Sequence, residues 1–127
     1  MSDVSSDWAQ HIEAIESGYE FMLAYAAQGL ERDPAGGGSQ VRQYLENMNT
    51  ALEGLGESAE HMAKESGLTD YQAFLETMRV DAKKAQAGIR LVLARSAISS
   101  QLIDNLNASI HLRTLLTDLF LIDEALK

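Results

Sequence analysis

The chain has 127 residues and no cysteine, and its 19 acidic and 10 basic side chains give a net charge of −9. This length predicts one domain over 1–127 with its own core, and the lack of cysteine excludes disulfides, thiolate ligands and a cysteine nucleophile. Residues 1–60 hold eleven acids and two bases while 61–127 hold eight of each, so no basic surface is clustered and nucleic-acid binding is disfavoured.

Neither a secretory signal nor a membrane span is expected. Residues 1–7 are polar and acidic, whereas a secretory signal is basic and then apolar. The most apolar stretch, 103–126, carries five charged side chains. Each would cost about 2–3 kcal/mol or more at the centre of a bilayer. We therefore expect a cytoplasmic protein without a membrane partner.

A first helix is predicted over 7–31, after a disordered segment at 1–6. Its apolar residues recur at spacings of four and three, which places them on one helical face, and Asp7 fits the N-cap position. The residues of this face are Trp8, Ile12, Ile15, Tyr19, Met22 and Ala26. Pro34 and three following glycines then predict a flexible loop over 32–38.

Two further helices are predicted over 39–66 and 69–95. Ser39 can cap the first of these, and Gly67 can end it. Thr69 and Gln72 form a capping box for the next. The apolar stripe of the first is Val41, Leu45, Met48, Leu52, Leu55, Ala59 and Met62, and that of the next is Tyr71, Leu75, Met78, Ala82, Ala85, Ile89 and Leu93.

A fourth helix is predicted over 98–126, with a tight turn around 96–100. That turn contains neither glycine nor proline, so the sequence leaves open whether the third and fourth helices are separate or continuous. A single helix from 70 to 126 would be about 85 Å long, which is long for a compact domain of this size. Heptad spacing with short connections is typical of antiparallel neighbours crossing at roughly 20°. The sequence predicts an all-α, antiparallel four-helix bundle with up-down-up-down order.

The fourth helix also predicts self-association. Large apolar side chains surround it and leave only a narrow polar arc, and a single inward face cannot cover them all. A second stripe of small and aromatic residues lies beside the heptad face of the first helix. We expect a homodimer, because closed two-fold assemblies are the commonest. The predicted interface residues are Leu112, Leu115, Leu119 and Ile122 on the fourth helix, with Ala14, Gly18 and Tyr25 on the first.

The carboxylates of the first helix raise an alternative, a metal site or metal-dependent enzyme. Its ligands would be His11 with Glu13, Glu16 and Glu20, since carboxylates in helical bundles can bind iron or manganese. No histidine follows a glutamate at the Glu-x-x-His spacing that such sites use. We therefore favour a solvated acidic face, with no metal and no cofactor.

A second alternative is a small-molecule binder with an apolar pocket between helices. Methionines at heptad positions could line it, although methionine more often fills gaps in a core. These residues are Met22, Met48, Met62 and Met78. Since no nucleophile motif is present, we favour a non-catalytic oligomeric protein that acts through protein–protein contacts, as an adaptor, regulator or assembly factor.

Overall fold

The computed structural model describes residues 3–34, 39–65 and 72–125, and the chain is all-helical over these ranges. Its five helices are α1 (Asp3–Ala26), α2 (Gln40–Glu65), α3 (Gln72–Leu93), α4 (Ser100–Ala108) and α5 (Ile110–Ala125). The all-α prediction is confirmed. None of these helices has the length and apolar character needed to cross a membrane.

Helix α1 differs from the prediction at both ends. It begins at Asp3, so residues 3–6 lie in its first turn, and it ends at Ala26 instead of residue 31. Gly29 has a φ of 68°, in the left-handed region, where the chain turns back. Leu30 and Ser100 then bond to each other: the Leu30 N–H donates to the Ser100 hydroxyl, and the Ser100 N–H donates to the Leu30 carbonyl.

The predicted fourth helix is divided in two at Ser109. The backbone of Ser109 is extended, and its N–H donates to the carbonyl oxygens of Asn105 and Leu106, which closes α4. At the other end of α4 the hydroxyl of Ser99 accepts the N–H of Leu102 at 3.0 Å and caps the helix. The turn expected around 96–100 is therefore present, and the chain bends once more before α5.

Neighbouring helices run antiparallel, because later residues of one lie against earlier residues of the next. Between α1 and α2, Phe21 stacks on Tyr44 while the earlier residue His11 lies against the later residue Gly54. Between α2 and α3, the Gln86 amide donates to Asn49 while Arg79 covers Gly56. Between α3 and the α4–α5 segment, Gly88 lies by Leu106 while Asp81 faces Asp118. These contacts join α1 to α2, α2 to α3, and α3 to the α4–α5 segment.

The predicted apolar stripes form the core. The largest fully buried side chains come from every helix and from the turn before α4, and they include three of the four methionines considered above. They are Ile15, Met22, Leu45, Met48, Leu55, Met78, Ile89, Ile98, Ile103, Leu112, Leu115 and Leu119. Burial of each contributes roughly 1.5–3 kcal/mol.

One end of the molecule is fastened by the buried carboxylate of Asp33. Its Oδ1 accepts the backbone N–H of Ile98 at 2.8 Å, and its Oδ2 accepts the Ser39 hydroxyl and the Arg42 Nε–H, each at 2.7 Å. Burial by itself would raise the pKa of Asp33, but these hydrogen bonds outweigh it and hold the pKa at about 2. The loop after α1 is thereby tied to the loop before α4.

Further hydrogen bonds tie the end of α3 and the turn before α4 to α1 and α2. Arg42 donates to the carbonyl oxygens of Leu93 and Arg95 at 3.2 and 2.7 Å, and the Tyr25 hydroxyl donates to the Ile98 carbonyl at 2.7 Å. Residues 32–34 of the predicted flexible loop are therefore anchored through Asp33. The remainder of that loop, 35–38, lies outside the described residues.

Candidate interaction surfaces

The predicted interface residues of the fourth helix lie inside the chain. Leu112, Leu115, Leu119 and Ile122 are buried in the core, on the side of α5 that includes its contact with α3. They have no surface to offer a partner, so this part of the interface prediction is corrected. The sequence pattern showed that α5 has surplus apolar residues, but it did not show which of them face inward.

The second predicted stripe, on α1, is also used within the chain. A Cβ atom on Gly18 would overlap the side chain of Met48 on α2, so this glycine serves a close helix–helix approach. Tyr25 is buried, and Ala14 is partly buried against the core. Neither stripe predicted as a dimer interface is therefore exposed.

The exposed aliphatic side chains of α3 and α5 lie elsewhere. Val80 and Leu91 on α3 are 45% and 67% exposed, and Ile110 and Leu121 on α5 are 68% and 55% exposed. At about 100° per residue, each pair lies on the side of its helix opposite the core. We call these four residues the α3–α5 face.

The four residues of this face lie at two levels along the molecule. Asp81 of α3 faces Asp118 of α5, and the two helices run antiparallel. Counting along both helices from this contact brings Leu91 close to the level of Ile110, and Val80 close to the level of Leu121. The face thus has two pairs of exposed aliphatic residues, separated by the exposed Lys84 and Ala87 on α3 and by the exposed Thr114 and Thr117 on α5.

A second surface is an open groove between α1 and the α4–α5 segment. Within the described residues α1 packs on α2 and α4 but makes little direct contact with α5, which leaves a space between them. Two adjoining cavities of about 530 and 450 Å³ follow this space and share Tyr19. We call it the α1 groove. Its charged lining residues are Glu13, Glu16, Glu20, Asp104 and Arg113, and its apolar ones include Leu23, Leu116 and Phe120.

The α1 groove combines acidic and apolar side chains. Leu23 and Phe120 are exposed, whereas Leu116 is buried at its floor. Glu13 and Glu20 are exposed and Glu16 is partly buried. Its chemistry suits a ligand that is cationic on one side and apolar on the other.

The comparisons with known proteins do not assign these surfaces. No protein-family model, curated protein or solved structure matches this chain. A function for the chain therefore rests on the geometry and chemistry of its own surfaces.

The structure separates the residues of the suggested metal site. His11 lies against Gly54 on α2, with its Nε2 3.1 Å from where a Cβ would stand, while the glutamates line the α1 groove. Over the three described ranges, no group of three or more histidine, aspartate or glutamate side chains could hold a metal ion. The suggested ligands His11, Glu13, Glu16 and Glu20 thus do not converge.

The suggested methionine pocket is filled core. Met22, Met48 and Met78 are fully buried among the large apolar side chains. The side chain of Met62 lies outside the described part of the structure. The cavities described above lie at the surface, along α1, and Met22, Met48 and Met78 do not line them.

A pair of carboxyl groups lies between α3 and α5. Asp118 is buried, and its pKa is raised to about 7 by burial first, and then by a hydrogen bond to Asp81 and the charge of that neighbour. Burial and the neighbouring carboxyl group therefore keep a proton on Asp118 to near neutral pH. Periodicity did not predict this burial, because an aspartate on an otherwise apolar helix is normally expected to face water.

Proposed function

We propose that the chain is a non-catalytic homodimeric protein that acts through protein–protein contacts as an adaptor, regulator or assembly factor. The α3–α5 face is the surface through which two copies associate. Its four exposed aliphatic side chains are the observation that supports this proposal. Exposed apolar residues grouped on adjoining helices mark interaction sites more often than scattered ones do.

A second copy of the chain is the occupant that fits this face best. The patch is apolar at both levels, so a two-fold axis through its centre would bring like residues together. Charge also favours pairing of two copies through this face. Residues 61–127 contain equal numbers of acidic and basic side chains, whereas residues 1–60 contain eleven acidic and two basic ones, a net charge of −9. Pairing through α3 and α5 keeps the two acidic halves apart and avoids like-charge repulsion.

The energetic scale is consistent with a reversible dimer. Covering each half-exposed aliphatic side chain contributes on the order of 1 kcal/mol, about half the value for full burial. All four residues of both copies would have to be covered to overcome the cost of association. Replacing two of these aliphatic residues with charged ones should therefore dissociate the dimer.

Light scattering at micromolar concentration tests this proposal. We expect the unmutated chain to be a dimer and Leu91→Glu/Ile110→Glu to be a folded monomer. Leu23→Glu is the matched control, because it also places a charge at an exposed leucine but lies outside the α3–α5 face. A monomeric unmutated chain, or a double variant that stays dimeric, would refute the proposed interface.

A further inference from the structure

The α1 groove is long enough to hold one helix. Its lining residues on the α1 side run from Glu13 to Ala27, which corresponds to about 20 Å of helix at 1.5 Å per residue. Four turns of a partner helix would fill this length. The space is open because α1 and α5 make little contact, so an inserted helix would pack between them as helices do in other groove complexes.

The groove carries a net negative charge, because among the described residues Glu13, Glu16, Glu20 and Asp104 line it against a single cation, Arg113. Helix α1 contains no lysine or arginine. Within the described part of the chain, Glu13, Glu16 and Glu20 make no hydrogen bond or ion pair. By contrast, two carboxylates of α2 are paired with arginines of α3: Glu60 with Arg79, and Glu53 with Arg90.

The spacing of these glutamates matches a helical partner. They are three and four residues apart, so they form one row along α1 and would face a row of cations with the same spacing. Leu23 and Phe120 offer apolar contacts beside this row, over the buried Leu116. An aromatic side chain at the wall of a groove is a frequent anchor of binding energy.

We propose that the α1 groove binds a basic amphipathic helix of a partner protein, with lysine or arginine against Glu13, Glu16 and Glu20 and aliphatic residues against Leu23 and Phe120. This inference rests on the proposed function, since it names the class of partner on which the dimer acts. The groove and the α3–α5 face use different residues. The two proposals can therefore fail separately.

A labelled synthetic peptide provides the probe. The peptide has fourteen residues, with leucine at positions i, i+3, i+4 and i+7 and lysine on the flanks, and its binding to the full chain is followed by fluorescence anisotropy. We expect Glu16→Gln/Glu20→Gln and Phe120→Ala each to raise the Kd at least about fivefold, equivalent to ~1 kcal/mol. A peptide with glutamate in place of lysine should not bind.

The control variant is Glu46→Gln/Glu57→Gln, which removes two exposed carboxylates of α2 outside the groove. It removes two negative charges, as the groove variant does, so both have a net charge of −7 instead of −9, and it should leave the Kd within about twofold. If it weakens binding as much as the groove variant, attraction is non-specific and the proposal is overturned. Groove variants that bind like the unmutated chain overturn it as well.

The same titration with Leu91→Glu/Ile110→Glu separates this inference from the proposed dimer. Binding of one peptide per chain at an unchanged Kd supports a groove that is complete in each copy. Loss of peptide binding in this variant would show that the binding site depends on the α3–α5 face, and would overturn the assignment to the α1 groove.

Discussion

The Oδ1 atom of Asp33 accepts the backbone N–H of Ile98 at 2.8 Å, across a separation of 65 residues. The contact joins the loop that follows α1 to the turn that precedes α4. Because the carboxylate is buried and also accepts from Ser39 and Arg42 at the start of α2, one side chain holds three chain segments together. Changes at Asp33 should therefore affect the stability of the whole molecule.

Asp33→Ala is expected to lower the free energy of unfolding by ~2 kcal/mol or more, because it leaves the Ile98 N–H and the Arg42 Nε–H without their acceptor. The pKa of about 2 means that this stabilisation is present above pH ~4 and is lost as the pH falls towards 2. Urea denaturation at pH 7 and pH 3 measures both effects. Glu31→Ala, an exposed neighbour, is the control; an equal loss in both variants would contradict the role of Asp33.

Asp118→Asn is expected to stabilise the protein at pH 8 by ~2 kcal/mol and to have little effect at pH 4. The pKa of Asp118 is raised in the folded state, so the proton favours folding, and stability falls as the pH rises from about 4 to 7. Thermal melts of the unmutated chain and of Asp118→Asn, measured from pH 4 to pH 8, give the difference in stability as a function of pH. A difference that does not change with pH would show that Asp118 does not keep a proton in the folded protein.

Gly18→Ala is expected to destabilise the protein by ~1–3 kcal/mol, because the added Cβ overlaps the fully buried side chain of Met48. Gly54→Ala is the matched control on the same pair of helices. There the Cβ would meet only the partly exposed ring of His11, and alanine favours a helix over glycine by about 1 kcal/mol. Denaturant melts measure the change in the free energy of unfolding. Changes of opposite sign in the two variants support the close approach of α1 and α2, whereas equal changes argue against it.

Leu115→Glu/Leu119→Glu is expected to unfold the chain, since both side chains are buried without a partner for a charge. Circular dichroism should show loss of the cooperative melt. The exposed pair Leu91→Glu/Ile110→Glu should by contrast keep it. A well-folded Leu115→Glu/Leu119→Glu variant would mean that α5 packs with a different face inward.

Much of the fold could be predicted from periodicity. The stripes containing Ile15, Leu45 and Ile89 are buried as expected, because spacings of three and four fix one face of a helix whatever it packs against. The break at Ser109 could not be predicted in this way. The local sequence there contains neither glycine nor proline, so tertiary packing decides where α4 ends.

The interaction surfaces were less accessible to sequence reasoning. Apolar residues all round α5 correctly indicated more hydrophobic surface than one face could bury. The choice between Leu115 and Leu121 as the exposed residue depends on how α5 is rotated against α3, and a pattern that is apolar on every side does not define that rotation. Val80 and Leu91 share one outer stripe of α3, but their exposure depends on which neighbours cover it.

The uneven charge of the chain has a consequence for kinetics. Helices α1 and α2 carry most of the acidic excess, and in a dimer joined through α3 and α5 the two acidic layers would lie at opposite ends. Each layer would attract a cationic partner over several ångströms before contact. Association with a basic helix should then be fast at low ionic strength and should slow steeply as salt is added, with a much smaller change in the dissociation rate.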